Sequence, residues 1–305
     1  MPAEPMVQPT ASLLEEAGYT AAAIDELFKE LLASPGDARD PLYEAMCHAA
    51  IDGGKRMRPL LVRAAARLFD IDTERALRVG AAIEAIHVYS LIHDDLPCMD
   101  DDDLRRGKPT LHKAYDEAIA VLAGDSLHDL AFGILADEAT HADAKVRCDL
   151  IAELARAAGP SGMAGGQVMD LEAEKVGDLD LDDITRLQQL KTGALIEYCI
   201  EAACIMAKKD AQDRTPYRGY ARNVGLAFQI ADDLLDVGGD EEKAGKRLHK
   251  DEDAGKATFV SLMGEDRARE QAQLLVDQAI EHLAHHGEEA DLLRAIARYS
   301  IERDR

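Results

Sequence analysis

Two short runs of aspartate contain the residues most able to do chemistry. The first, DDLPCMDDDDLRRG over residues 94–107, surrounds a proline, and the second, ADDLLD over residues 231–236, is a DDxxD pattern. Carboxylates at this spacing suit Mg²⁺, which keeps several waters and adds a few carboxylates and substrate phosphates. The runs predict a magnesium site for a phosphorylated ligand. The candidate ligands are Asp94, Asp95, Asp100, Asp232, Asp233 and Asp236.

Two other interpretations of the first run have to be weighed. An EF-hand needs a central glycine and a glutamate at the twelfth loop position, and DDLPCMDDDDLR has neither. A solvated acidic loop is the alternative that the run alone leaves open. Asp94 and Asp100 would point about 120° apart on an ideal helix. Pro97 must kink or end that helix, which allows Asp100 to turn back towards Asp94.

Basic residues lie close to both aspartate runs. The segment GGKRMRP contains Lys55, Arg56 and Arg58, and LRRG contains Arg105 and Arg106. Arginine binds phosphate oxygens in a bidentate manner, whereas lysine acts as a point charge. The arrangement predicts one diphosphate held through metal and a second held by side chains. Three further candidates each adjoin a glycine or a threonine: Lys191, Lys246 and Lys256.

Composition excludes several classes of protein. The 305 residues include 35 Lys+Arg and 59 Asp+Glu, a net charge of −24, which disfavours nucleic acid and anionic membranes as partners. Five cysteines without a CxxC pair suit a reducing compartment. The N-terminus resembles no signal peptide, and no apolar run reaches the ~20 residues that span a bilayer. We expect a cytoplasmic protein without stable membrane insertion.

Helical spacing recurs along the chain, and alternating β-branched runs of strand length are absent from the sequence. The pattern predicts an all-α protein with a single domain over residues 1–305, in which residues 1–40 are helical and carry no motif. The predicted helices are 13–33, 42–51, 56–69, 73–96, 112–137, 143–158, 161–174, 181–208, 214–237, 265–286 and 288–302.

Two of these helices carry a thin polar stripe on an otherwise apolar surface. Gln229, Asp232, Asp233 and Asp236 are spaced i, i+3, i+4 and i+7 within GLAFQIADDLLDVGG. Such a helix is predicted to be buried beside a polar cavity, where its carboxylates need partners or metal. His87 lies seven residues before Asp94 in the other helix. Its spacing favours a functional role about as strongly as a place in the core.

These segments together resemble the trans-isoprenyl diphosphate synthase family, and within it the bacterial short-chain farnesyl diphosphate synthases. The resemblance runs from about residue 40 to the C-terminus. It is carried by GGKRMRP, IHVYSLIHDDLPCMDDDDLRRGKPT, LAGDSL, GMAGGQVMDL, KTGALI, GLAFQIADDLLDVGGD, GKR and DAGKATF. It implies a single large all-α bundle around a central active-site cavity, and a homodimer.

The resemblance also implies a set of site residues. Asp94, Asp100 and Asp232 would hold three Mg²⁺ ions, with Mn²⁺ as a substitute, and Asp95, Asp233 and Asp236 would assist. The allylic diphosphate (dimethylallyl or geranyl) would contact Arg105, Lys191 and Lys246. Isopentenyl diphosphate would contact Lys55, Arg58, His87 and Arg106. Thr192, Gln229 and the backbone near Lys191 would stabilise a carbocation. The segment 238–257, with Lys246 and Lys256, is a candidate lid.

Product length is assigned from residues before the first aspartate run. Ser90 lies about 40° and Tyr89 about 140° from Asp94 around the helix. In the family, however, a ring at the Tyr89 position together with the Pro97–Cys98 insertion is typical of C15 producers. We expect farnesyl diphosphate, with geranylgeranyl or geranyl diphosphate as alternatives and plain core packing as a second interpretation of Tyr89. A terpene cyclase would carry a different second motif, and a non-catalytic prenyl-diphosphate-binding subunit commonly loses residues that this chain keeps.

Overall fold

The computed structural model describes residues 11–176, 179–238 and 258–302. The described part begins with four helices: α1 (Ala11–Leu31), α2 (Asp40–Ala50), α3 (Met57–Arg67) and α4 (Thr73–Asp94). A small antiparallel hairpin follows, which consists of β1 (Leu104–Arg105) and β2 (Lys108–Pro109). The next helices are α5 (Leu111–Ala114), α6 (Glu117–Ala136), α7 (Ala144–Ala158) and α8 (Met163–Val176).

The second half of the chain contains a long rod that changes its helical type. α9 (Leu181–Gln188) runs into a π-helical turn (Gln189–Gly193) and then into α10 (Ala194–Met206). The remaining elements among the described residues are α11 (Thr215–Gly238), α12 (Phe259–Met263), α13 (Glu265–His282), a 3₁₀ turn (Glu288–Ala290) and α14 (Asp291–Glu302).

The all-α prediction is confirmed, and several local details differ from it. The predicted helix 112–137 is two helices, because the Asp116 side chain caps α6 by accepting the Ile119 amide hydrogen bond. The predicted helix 181–208 contains the π turn. The hairpin and α12 were not predicted from the sequence. Aspartates also cap the N-termini of α4, α7 and α9, where a negative charge interacts favourably with the helix dipole.

Helices α4 and α10 form the centre of the fold. Every residue of α4 from Val79 to Ile86 is buried, and so is every residue of α10 from Leu195 to Met206 except Glu197. α3 packs against both of them, α6 packs on α4, and α11 packs on α10 and α13. All but two of the buried apolar side chains in the described ranges, Leu187 and Ala231, form one continuous cluster. The core therefore fixes the C-terminal end of α4, the π turn and α11 relative to one another.

Candidate active site

The first aspartate run lies where α4 ends. Proline cannot continue a helix, because it lacks an amide hydrogen and its ring clashes with an earlier carbonyl. α4 accordingly stops at Asp94, three residues before Pro97. The chain then turns back, and the Asp100 amide donates a 2.8 Å hydrogen bond to the Asp94 carbonyl oxygen. The predicted helix end is confirmed, and it brings Asp100 beside Asp94.

The surroundings of the Asp94 carboxyl disfavour its negative charge. Burial raises the pKa of Asp94 to about 6; the Lys191 ammonium opposes the rise, and the charge of Asp100 adds to it. A carboxylate that is buried beside a second carboxylate is stabilised by a nearby cation. The pair therefore suits a divalent cation.

Asp95 faces a different partner from that of Asp94. Its Oδ1 accepts hydrogen bonds from Arg105 Nε (2.9 Å) and Nη2 (2.5 Å), and Asp95 itself is buried. Burial raises the pKa of Asp95, and the hydrogen bond from Arg105 opposes that rise. Arg105 also approaches Asp102 at 3.4 Å, and Asp103 pairs with Lys113 at 2.9 Å. Asp95 and Asp102 therefore orient the arginine, and Asp103 holds the hairpin to α5.

The second arginine of the run lies against the glycines of GGKR. An added Cβ on Gly54, whose φ is +71°, would lie 2.5 Å from Arg106 Cζ, and one on Gly53 would lie 3.0 Å from Arg106 Nη1. The two glycines thus make room for the guanidinium. Arg106 Nη2 lies 3.5 Å from His87 Nε2. Asp95, Arg105, Arg106, His48 and Lys108 are among the residues that line a pocket between α2, α4 and the hairpin.

A group of cationic side chains surrounds His87. Burial, reinforced by the charges of Arg58 and Arg106, lowers the pKa of His87 well below its ordinary value, so the imidazole is neutral at pH 7. The Nε of Arg58 is buried and has no hydrogen-bond partner among the described residues. A buried guanidinium donor without a protein partner is commonly satisfied by a ligand or by water. This group of side chains suits an anion.

The other basic residues of GGKRMRP have different surroundings. Lys55 is exposed at the edge of this region. Arg56 is buried and donates hydrogen bonds to Glu84 (2.8 Å) and Asp25 (2.6 Å), so it fixes the start of α3 to α4 and α1. Arg56 therefore has a structural role.

The π turn presents Lys191 and Thr192, both half-buried. The Lys191 ammonium donates a 2.6 Å hydrogen bond to Asp170 Oδ2 on α8. Gly166, one turn earlier on α8, lies so close that an added Cβ would be 2.3 Å from the Lys191 amide nitrogen. π turns are rare and frequently occur at functional sites. Asp170 and Gly166 were not among the predicted site residues, although GMAGGQVMDL contains both of them.

The second aspartate run lies in the last turns of α11. Asp233 and Asp236 are buried, and Gln229 and Asp232 are half-buried. Asp233 Oδ2 accepts a 2.8 Å hydrogen bond from the Phe259 amide, which holds the start of α12. An added Cβ on Gly225 would lie 3.5 Å from Gly193 Cα, so α11 passes close to the π turn.

The donor set fits magnesium bound together with a phosphorylated ligand. No three His, Cys, Asp or Glu side chains within the described ranges converge closely enough to hold a metal unaided. The candidate donors are carboxylates, and Asp94 is half-buried beside the exposed Asp100. Magnesium usually takes one or two carboxylates and completes its shell with water and phosphate. Asp94, Asp100 and Asp232 are therefore suitable as partial ligands.

A cluster of rings lies between α4 and α6, in the part of α4 that precedes Asp94. The Tyr89 ring meets those of His93 (centroids 5.6 Å apart) and His128 (5.0 Å) edge to face, and His128 meets Phe132 at 5.1 Å. The Ser90 hydroxyl instead donates to the His87 carbonyl oxygen within its own helix. Tyr89 thus belongs to an aromatic wall between α4 and α6. The sequence had not indicated His128 as part of it.

Lys246, Lys256 and the candidate lid lie outside the described residues, except for Gly238 at the end of α11. All the other predicted site residues are described. Those at the end of α4, in the hairpin, at the start of α3 and on the π turn surround the same region of the fold.

Comparison with known proteins identifies close relatives. Residues 39–298 match the sequence profile of the polyprenyl synthetase family. The farnesyl diphosphate synthase of Escherichia coli (strain K12) is 44% identical over 270 residues, covering 87% of this chain and 90% of that protein. The geranylgeranyl diphosphate synthase of Cyanophora paradoxa is 40% identical, covering 86% of this chain and 88% of that protein.

Solved structures agree with these sequence matches. A crystal structure of an FPP/GFPP synthase from Zymomonas mobilis is 57% identical and superposes with a TM-score of 0.87, covering 94% of this chain and 98% of that chain. The profile match extends over the aspartate runs, the π turn and the basic group. The chain belongs to the polyprenyl synthetase family.

Proposed function

We propose that this protein is a Mg²⁺-dependent prenyltransferase that condenses isopentenyl diphosphate with dimethylallyl and then geranyl diphosphate to give (2E,6E)-farnesyl diphosphate. The observation that supports it most strongly is the placement of two kinds of anion site side by side. Asp94 and Asp100 lie near Lys191 and suit a diphosphate with its metal. Arg58 and Arg106 lie around the neutral His87 and suit a diphosphate without metal.

Asp94, Asp100 and Asp232 would hold the magnesium ions, three according to the family resemblance. Asp236 would assist directly or through water, and Asp95 and Asp233 would assist while keeping their hydrogen bonds to Arg105 and Phe259. When bound, the metal supplies Lewis-acid stabilisation of the departing diphosphate.

The side chains of the protein orient the two substrates. Arg105 and Lys191, with Lys246, would bind the allylic diphosphate. Arg58, Arg106 and His87, with the more exposed Lys55, would bind isopentenyl diphosphate, and Lys256 is a further candidate for binding a substrate. Because the pKa of His87 is lowered, its neutral imidazole can donate one N–H to a phosphate oxygen.

The reaction breaks the allylic C–O bond, and the bonding electrons leave with diphosphate. The hydroxyl of Thr192, the amide oxygen of Gln229 and a backbone carbonyl of the π turn would stabilise the allylic cation through preorganised dipoles. The π electrons of isopentenyl diphosphate then form the new C–C bond. The released diphosphate removes a proton to restore a double bond, so no protein nucleophile is needed.

The test is incubation of the purified protein with isopentenyl and dimethylallyl diphosphates and Mg²⁺, followed by dephosphorylation and chromatography of the alcohols. Farnesol that is absent with EDTA supports the proposal. Geranylgeraniol or geraniol would favour the alternatives, and geranylgeraniol would contradict the proposed role of Tyr89. Product length has to be measured, because the Zymomonas mobilis relative is described as an FPP/GFPP synthase, a name with two products. Folded protein without any product would favour a non-catalytic, prenyl-diphosphate-binding subunit.

We further propose that the chain, a single domain, acts as a homodimer in the cytoplasm. Among the described residues, α6 is the one helix long and apolar enough to cross a membrane, and it packs against α4 and α2 on one side. Its other side exposes Val121 (40%) and Leu122 (51%). A second copy of the chain would cover these apolar side chains.

A further inference from the structure

Asp170 is a carboxylate near the reaction centre to which the mechanism above gives no role. It lies on α8, and its Oδ2 is 2.6 Å from the Lys191 ammonium nitrogen. The Asp170 side chain is 16% exposed and that of Lys191 31%. An ion pair that is largely shielded from solvent is stronger and more directional than a surface pair.

The approach of α8 to the π turn is fixed by the backbone. Gly166 precedes Asp170 by four residues, so the two lie on the same face of α8. An added Cβ on Gly166 would lie 2.3 Å from the amide nitrogen and 2.6 Å from the Cα of Lys191. Contact at Gly166 sets the distance between the elements, and Asp170 then meets the end of the lysine side chain.

The ammonium has an alternative partner in the site. The charge of Lys191 acts on the Asp94 carboxyl, which is a candidate metal ligand. A lysine side chain has four rotatable bonds and loses rotamer entropy when it is held. Without Asp170, the flexible ammonium would be drawn to Asp94 and would compete there with the metal.

We propose that Asp170 is a positioning residue that holds the Lys191 ammonium by one hydrogen bond, away from Asp94, and leaves its other two donors for the allylic diphosphate. This inference rests on the proposed function. It assigns the GMAGGQVMDL segment a part in orienting the lysine that binds the diphosphate.

The test is the Asp170→Asn variant, in which the size is kept and the charge is removed. Calorimetry would measure the binding of inorganic pyrophosphate at several Mg²⁺ concentrations. We expect binding weaker by about tenfold, as the loss of a charged hydrogen bond produces, and half-saturation at a higher Mg²⁺ concentration. The KM for the allylic substrate should rise, and that for isopentenyl diphosphate should stay unchanged. Asp149→Asn removes a similarly short but more exposed pair with Lys145 and is the control.

A double-mutant cycle with Lys191→Gln separates positioning from general damage. If Asp170 acts through the lysine, Asp170→Asn adds no further loss in the Lys191→Gln background. Equal losses in both backgrounds overturn the proposal. So does pyrophosphate binding by Asp170→Asn that is unchanged from, or tighter than, that of the unmodified protein. If the unmodified protein itself shows no Mg²⁺-dependent binding of pyrophosphate, the proposed function fails instead.

Discussion

Gly53 and Gly54 shape the anion site through the side chains that they lack. The Arg106 guanidinium occupies the space where a Cβ of Gly54 would be, and it would make a tight contact with a Cβ of Gly53. Gly54 also has a φ of +71°, which L-residues rarely adopt. Position 54 of the GGKR motif therefore needs both a left-handed backbone conformation and space for the Arg106 guanidinium. Gly36 shares the first requirement without the second, since its φ is +73° and no atom lies within 4 Å of an added Cβ.

This difference leads to a prediction for Gly54→Ala, with Gly36→Ala as the matched control. Both variants should lose roughly 1–2 kcal/mol of unfolding free energy because of the left-handed backbone. Only Gly54→Ala should raise the KM for isopentenyl diphosphate, by about tenfold for one misplaced charged hydrogen bond. Steady-state kinetics at saturating allylic substrate would measure this KM in both variants. Equal KM values in the two variants would show that Arg106 does not need this space.

At the scale of elements, the contact between α4 and α6 supports the metal site. His93 precedes Asp94, and its ring lies on Gly124 of α6, where an added Cβ would be 2.2 Å from Nε2. The same nitrogen lies 3.2 Å from the Val121 carbonyl oxygen. The glycine of LAGDSL is thus explained by the histidine that lies on it, and the contact fixes the last turn of α4.

Gly124→Ala is therefore predicted to destabilise the protein and to displace Asp94. Forced overpacking typically costs about 1–3 kcal/mol. Gly18→Ala is the control, because Gly18 is also helical and no atom lies within 4 Å of an added Cβ. Alanine there should stabilise by up to about 1 kcal/mol. Thermal unfolding and the Mg²⁺ dependence of activity would be measured. A melting temperature for Gly124→Ala at or above that of Gly18→Ala would contradict the prediction.

The aromatic wall between the same two helices leads to a prediction about product length. Tyr89→Ala should lengthen the product, because the growing prenyl chain gains the space that the ring occupied. His128→Ala should lengthen it less, since His128 on α6 supports the Tyr89 ring by an edge-to-face contact. Chromatography of the dephosphorylated products would compare both variants with Tyr299→Ala, a ring on α14. Unchanged C15 product from Tyr89→Ala would indicate that Tyr89 only packs the core.

The sequence predicted the structure best where a pattern extends over several helical turns. It predicted the structure least well where a single tertiary contact determines the local conformation or the side-chain partner. Asp94 and Asp100 could be brought together in advance, because Pro97 has a known effect on helices. The π turn could not be predicted, since five residues are too few to show a change of period. Nor could Asp170 be paired with Lys191, because the partner depends on how α8 packs.

At the scale of the whole molecule, the exposed apolar side chains of Val121 and Leu122 on α6, which lie among the exposed Asp125 and Asp129, predict self-association. Leu122→Lys should give a monomer at concentrations where the unmodified protein is a dimer, because a charge would have to be buried between two copies. Leu274→Lys on α13 is the control, since Leu274 is 50% exposed and Leu122 is 51%. Sedimentation velocity would distinguish the species. Identical sedimentation of both variants and the unmodified protein would exclude this face of α6 as the dimer contact.

The π turn has a geometric consequence for the rod formed by α9 and α10. Each residue of an α-helix advances by about 100° around the axis, whereas a π turn takes up extra chain in one revolution. The side chains after Gly193 are thereby out of phase with those before Gln189. Ile184 and Leu187 of α9 therefore lie on a different side of the helix axis from the one that a continuous α-helix into α10 would give them. Deletion of one residue from the turn would restore an uninterrupted α-helical period. It would also rotate the buried side chains of either α9 or α10 away from the helices that they pack against.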